Sequence, residues 1–166
     1  MLSPEIIRTA PKVLLHDHLD GGLRASTIVE LAKDFGVKSL PTYNVTELDN
    51  WMAATADRKN LELYLEAFSH TLSVMQTQDA LCRVAAECAE DLAKDGIIYA
   101  EVRFAPELHL SKGLTVTQVI ESVLEGFKSG SEGKGIIVNT LICAIRSRAR
   151  SKEMMEHALH FRSRGV

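Results

Sequence analysis

The chain has 166 residues, 46% hydrophobic and 25% charged, enough for one globular domain with a buried core. Its 19 Lys and Arg against 22 Asp and Glu leave a formal charge of −3, so no basic surplus points to a nucleic acid polymer or an anionic membrane. No apolar run reaches the ~18 residues of a membrane span, and the N-terminus has no basic flank ahead of an apolar segment, so the expected compartment is the cytoplasm.

Residues 1–11 read as a short lead-in, with Pro4 and Pro11 bracketing Ile6 and Ile7. A first strand is predicted over Lys12–His18, leading into Leu19-Asp20-Gly21-Gly22, where the glycines mark a tight turn. Strand alternation points His16 and His18 the same way and Asp17 the opposite way. Two imidazoles at a strand end can share one divalent cation, and neutral imidazole favours zinc, copper, iron or nickel over calcium or magnesium. A catalytic zinc usually takes three protein ligands and keeps a position open for water, so the motif would supply two of them. The competing reading is a polar strand end whose histidines hydrogen-bond nearby carbonyls.

After the turn, Thr27 and Glu30 have capping-box spacing, and Ile28, Leu31, Ala32 and Phe35 recur at helical intervals until Gly36. From Val37 to Asn60 the period is lost, which suggests a long insertion with at most a short helix and a role such as covering a site. Leu61, Tyr64, Leu65, Phe68, Leu72 and Met75 mark one face of the next helix. Asp79 is placed to cap another, with Leu81, Val84, Ala85, Cys88 and Leu92 as its stripe until Gly96. Cys82, Cys88 and Cys143 are an odd number without a paired spacing and read as reduced thiols.

A second strand is predicted over Ile97–Phe104, with Tyr99, Glu101 and Arg103 on one face and Ile98, Ala100, Val102 and Phe104 on the other. Charges on a buried strand need partners, so Glu101 and Arg103 are read as a structural ion pair in preference to direct catalysis. His109, just past this strand, is read as a surface histidine. Thr115 and Gln118 again have capping-box spacing, ahead of a helix with Val119, Ile120, Val123, Leu124 and Phe127 as its apolar stripe. Gly130, Gly133 and Gly135 form a flexible connector, not a phosphate loop, before a third strand over Ile136–Ile145 that ends at Arg146. Ser151 opens a last helix to about Arg162, with Met154, Met155, Ala158 and Leu159 expected on its buried side and His157 and His160 solvated. Gly165 and Val166 read as the start of another strand. Strands alternating with helices predict an α/β fold with a parallel sheet, and functional groups in such folds collect at the carboxyl ends of strands. The expected architecture is a (β/α)8 TIM-type barrel with only its first three units present.

Three ordered blocks carry a family resemblance: His16-Asp17-His18-Leu19-Asp20-Gly21 after Pro11-Lys12-Val13, then Tyr99-Ala100-Glu101-Val102-Arg103-Phe104-Ala105-Pro106, then Leu141-Ile142-Cys143-Ala144-Ile145-Arg146. The chain resembles the adenosine deaminases of the metallo-dependent hydrolase superfamily, most closely the bacterial type, along essentially its whole length. The resemblance implies that residues 1–166 are the N-terminal part of one barrel domain, with a mostly helical insertion at about 37–95. It implies zinc-dependent hydrolytic deamination of adenosine and 2′-deoxyadenosine in purine metabolism or salvage. By similarity His16 and His18 would be metal ligands, with His18 also near the nucleoside. Asp20 would accept a hydrogen bond from the ribose 5′-hydroxyl, and Leu61, Tyr64, Leu65 and Phe68 match an apolar lid over the substrate.

The family's third histidine ligand and its acid/base residues lie beyond the point matching Val166, so no catalytic residue is expected within this chain. The 166 residues alone are expected to be inactive, to hold zinc weakly or not at all, and to self-associate through exposed sheet edges. Two alternatives remain: a deaminase of adenine or another aminopurine, and a non-catalytic binding module.

Overall fold

The computed structural model describes residues 3–56 and 61–166, with the side chains of 56, 61–64 and 66 outside that description. In chain order the elements are α1 (Pro4–Thr9), β1 (Lys12–His18), α2 (Ala25–Asp34), α3 (Val45–Ala56), α4 (Leu61–Val74), α5 (Gln78–Lys94), β2 (Ile97–Phe104), α6 (Val116–Ser131), β3 (Ile137–Ile142) and α7 (Ser151–Phe161). Short 3-10 turns follow β1 at Leu19–Gly21, β2 at Pro106–His109 and α7 at Arg162–Arg164. The strands form one parallel sheet in the order β1-β2-β3. This is the opening of an α/β barrel.

One face of the sheet is packed. Ala100, Val102 and Phe104 of β2 are buried with Leu81, Val84, Ala85 and Ala89 of α5 and Val119, Ile120, Val123 and Phe127 of α6. The two helices approach so closely that a Cβ on Gly126 would stand 2.2 Å from the carbonyl oxygen of Cys82. The other face is open: Val13 and Leu15 of β1 are 56% and 57% exposed, and Ile137 and Leu141 of β3 are 63% and 39% exposed. After α7 the chain returns to the outer edge of β3, where Thr140 N–H donates to the Gly165 carbonyl at 2.7 Å. That contact is the pairing a fourth parallel strand would begin with.

Several local expectations hold and others need correcting. The Thr115 hydroxyl accepts from Gln118 backbone N–H while the Gln118 side-chain Oε1 accepts from Thr115 N–H, the predicted capping box. Thr27 and Glu30 form no such box. The helix starts at Ala25, and both side chains cross to α5, Thr27 donating to Glu87 and Glu30 accepting from Arg83. Thr77, not Asp79, caps α5, its hydroxyl accepting from Ala80 N–H. The segment read as aperiodic carries α3, and the lead-in carries α1, capped by Ser3 with Pro4 at its start. The third strand is shorter than predicted: Cys143 N–H still donates to the Phe104 carbonyl at 2.9 Å, but Ile145 N–H is taken by the Glu107 carboxylate. On α7, Met154 and Phe161 are buried, whereas Met155 and Leu159 are exposed, because the helix packs along a narrower stripe than expected.

Candidate functional site

The two histidines reach the open face through a fault in the ladder. Leu14 pairs with Ala100 and Asp17 with Val102, so β1 spends one more residue than β2 over the same rise. A bulge of this kind re-aims side chains. Before it, Leu14 packs on the core while Val13 and Leu15 face outward. Without it, alternation would send His16 and His18 to the helix side with Leu14. With it, both are exposed beside Leu15, and Asp17 takes the helix side. There its charge adds to the burial that pushes the Cys88 thiol up to about 12.

The histidine rings lie 5.4 Å apart, centroid to centroid, tilted by 53°. Arg103, opposite His18 in register, donates through Nη1 to His16 Nε2 at 3.1 Å and through Nε to Cys143 Sγ at 3.2 Å. Glu101 instead accepts from the Tyr99 hydroxyl at 2.9 Å, and Asn139 donates to that hydroxyl. The expected Glu101–Arg103 ion pair is therefore replaced by two separate networks. Each charge finds a nearer partner on the open face.

Asp20 is buried at the base of the turn, 3.9 Å from His18 Nδ1, and its Oδ1 has no hydrogen-bond partner among the described residues. Burial holds its carboxyl above the usual carboxylate range, opposed by its own backbone N–H and by His18 and Arg103. His18 and Asp20 line a cleft of about 600 Å³ with Leu65, Phe68 and Leu72 on one side and Arg103, Cys143, Ile145 and Arg146 on the other. That volume suits a small organic ligand. The edge of Phe68 meets the His18 ring at 6.3 Å. A second cavity of about 340 Å³ behind Asp20 and Phe68 opens between α3 and α4 at Asp49 and Thr71.

Of the residues singled out from sequence, His18, Asp20, Leu65 and Phe68 share this cleft, and His16 stands beside it. The side chains of Leu61 and Tyr64 lie outside the described residues. His109 is not a surface histidine. It is fully buried, its Nδ1 against the Met75 carbonyl at 2.9 Å, because the turn after β2 folds inward over α4. Arg103, Cys143 and Arg146 were missed as lining groups, although all three stand in the blocks that carry the resemblance. Glu107 was missed too. Its buried carboxylate accepts from Ile145 N–H at 2.8 Å and fixes the wall that carries Cys143 to Arg146.

A family model described as Adenosine deaminase matches residues 11–166. The chain belongs to the adenosine deaminase family. It is 57% identical over 169 residues to Adenosine deaminase 1 of Streptomyces coelicolor, an alignment covering 99% of this chain and 43% of that protein. The chain thus spans less than half the length of that relative. Among solved structures, an Arabidopsis N6-mAMP deaminase superposes with a TM-score of 0.80 at 28% identity, covering 98% of this chain and 50% of that one. A Burkholderia ambifaria amidohydrolase with bound Zn superposes at 0.76 and 21% identity, over 98% and 43%, which speaks for the shared fold.

The family's members are metal-dependent, and the donor set here can be tested against zinc. Two neutral imidazoles side by side at a strand end suit that ion. Among the described residues, however, no group of three or more His, Cys, Asp or Glu side chains is placed to hold a metal. The described residues fit the imidazole half of a zinc centre and no more.

Proposed function

We propose that this chain forms the first strand-helix units of an adenosine deaminase barrel, in a protein that hydrolyses adenosine and 2′-deoxyadenosine to inosine and 2′-deoxyinosine in purine salvage. The reading is carried by the gathering of His18, Asp20, Leu65 and Phe68 around one nucleoside-sized cleft, with His16 alongside, in a member of this family. His16 and His18 would hold zinc. When bound, zinc supplies a water whose pKa is lowered toward neutrality. The chain's own residues bind and orient the substrate. Asp20, whose buried Oδ1 has no hydrogen-bond partner among the described residues, accepts a hydrogen bond from the ribose 5′-hydroxyl. Phe68 and Leu65, on one wall of the cleft, exclude water over the sugar and base.

On this reading the 166 residues do not turn over adenosine alone, since two imidazoles fall short of the three protein ligands a catalytic zinc takes. The exposed sheet face and edges favour self-association. The decisive experiment grafts residues 1–166 in place of the matching segment of the Streptomyces coelicolor relative. The chimera is expected to deaminate adenosine, and its H16A and H18A variants to lose at least about a hundredfold in rate, as when a metal centre is lost. A folded chimera indifferent to both substitutions would contradict the proposal.

A further inference from the structure

We propose that Arg103 competes with a divalent cation for the ε nitrogen of His16, so that the guanidinium sets how tightly the histidine pair takes metal. This rests on the reading of His16 and His18 as metal ligands. Arg103 is held at the meeting point of three strand ends: it stands on β2 opposite His18, its Nε donates to Cys143 past the end of β3, and its Nη1 donates to His16 on the bulge of β1. A guanidinium has donors only and stays protonated, so the nitrogen facing it must offer a lone pair. An imidazole nitrogen has one. That lone pair cannot serve Arg103 and a zinc ion at ~2.0–2.1 Å together, and the two cations also repel.

The pair is asymmetric. His18 turns Nδ1 toward Asp20 at 3.9 Å, which leaves Nε2 on the opposite side of its ring. His16 offers Nε2 to Arg103. Cys143 Sγ tethers the guanidinium through Nε, and Asp20 faces the same charge across the cleft, so Arg103 can release His16 without leaving the site. A role confined to orienting the His16 ring would predict the opposite sign, with metal binding weakened when Arg103 is removed.

The test titrates zinc alone by calorimetry into the metal-stripped chimera described above and into its R103M, R103K and H18A variants. Nitrogen-15 NMR of the His16 ring reads its tautomer without added metal. R103M is expected to bind zinc about tenfold more tightly, the equivalent of losing one charge-assisted hydrogen bond, with R103K in between and H18A without the site. The unaltered chain is expected to show an unprotonated Nε2 on His16, a preference that R103M loses. Unchanged or weaker binding in R103M, with the site still lost in H18A, overturns the competition while the pair remains a metal site. Equal binding by the unaltered chimera and H18A overturns both readings, and a protonated Nε2 in the unaltered chain overturns the competition. Should R103M fail to fold by circular dichroism, R103K carries the same comparison.

Discussion

His109 sits where the chain turns away from β2, fully enclosed against Phe104 and bonded to Met75. Burial depresses its pKa to about 4 from an ordinary 6.5, only partly offset by the Met75 carbonyl. The neutral ring is the folded form, so the contribution is fully present above pH 6.5 and is lost as pH falls toward 4. Across that window the imidazole costs about 3 kcal/mol of stability, the free-energy equivalent of the shift. Denaturant melts of the chain and of H109Q between pH 7 and 4 should show a slope in the former that is largely absent in the latter. Equal slopes would mean that His109 titrates normally. Asp20 works in the opposite direction, since burial raises its pKa and acid relieves that cost, so the comparison between the two proteins isolates the histidine.

The elements show what could be read from the residues and what could not. β1 and β2 were legible to the residue because each apolar run is bounded, β1 by Pro11 and the Gly21-Gly22 turn, β2 by Gly96 and Pro106. The bulge was not, since nothing in Leu14-Leu15-His16-Asp17 announces an extra residue, and it decides which side the histidines face. Thr115-Gln118 and Thr27-Glu30 have identical spacing, yet only the first pair caps its own helix. Arg83 and Glu87 on α5 claim the second, a tertiary competition invisible in local text. The site was legible as a motif, but its arginine was misread because Glu101 was the only visible partner. Gly130, read as part of a flexible connector, instead lies buried inside α6, and the α5–α6 seam rests on Gly126 and Gly130, where a Cβ would meet the backbone of Cys82 and Ala86 at 2.2 and 2.3 Å. G126A should therefore cost about 1–3 kcal/mol by overpacking, although alanine favours helices. A chemical melt would detect it, and a neutral result would mean the helices can part freely.

At the scale of the molecule, the sheet presents a packed face and a bare one. Val13, Leu15, Ile137 and Leu141 form an exposed apolar surface around the polar group of Asn139, Tyr99 and Glu101. Apolar side chains left bare on a sheet face favour association. Light scattering on the chain should give a mass above the 18.3 kDa of one copy, falling when I137K places a charge in the patch. A monomer unaffected by I137K would show that this face tolerates water.

The same incompleteness governs chemistry. The buried Asp20, His18 and the apolar wall share one cleft with His16 beside it, while no third metal ligand is gathered with the histidine pair among the described residues. Adenosine turnover by the purified 166-residue chain, verified by intact mass and assayed with added zinc and with chelator, tests this most directly. The expected rate of inosine formation equals that of buffer under both conditions. Turnover that chelator suppresses and zinc restores would contradict the account of these residues as half of a metal centre.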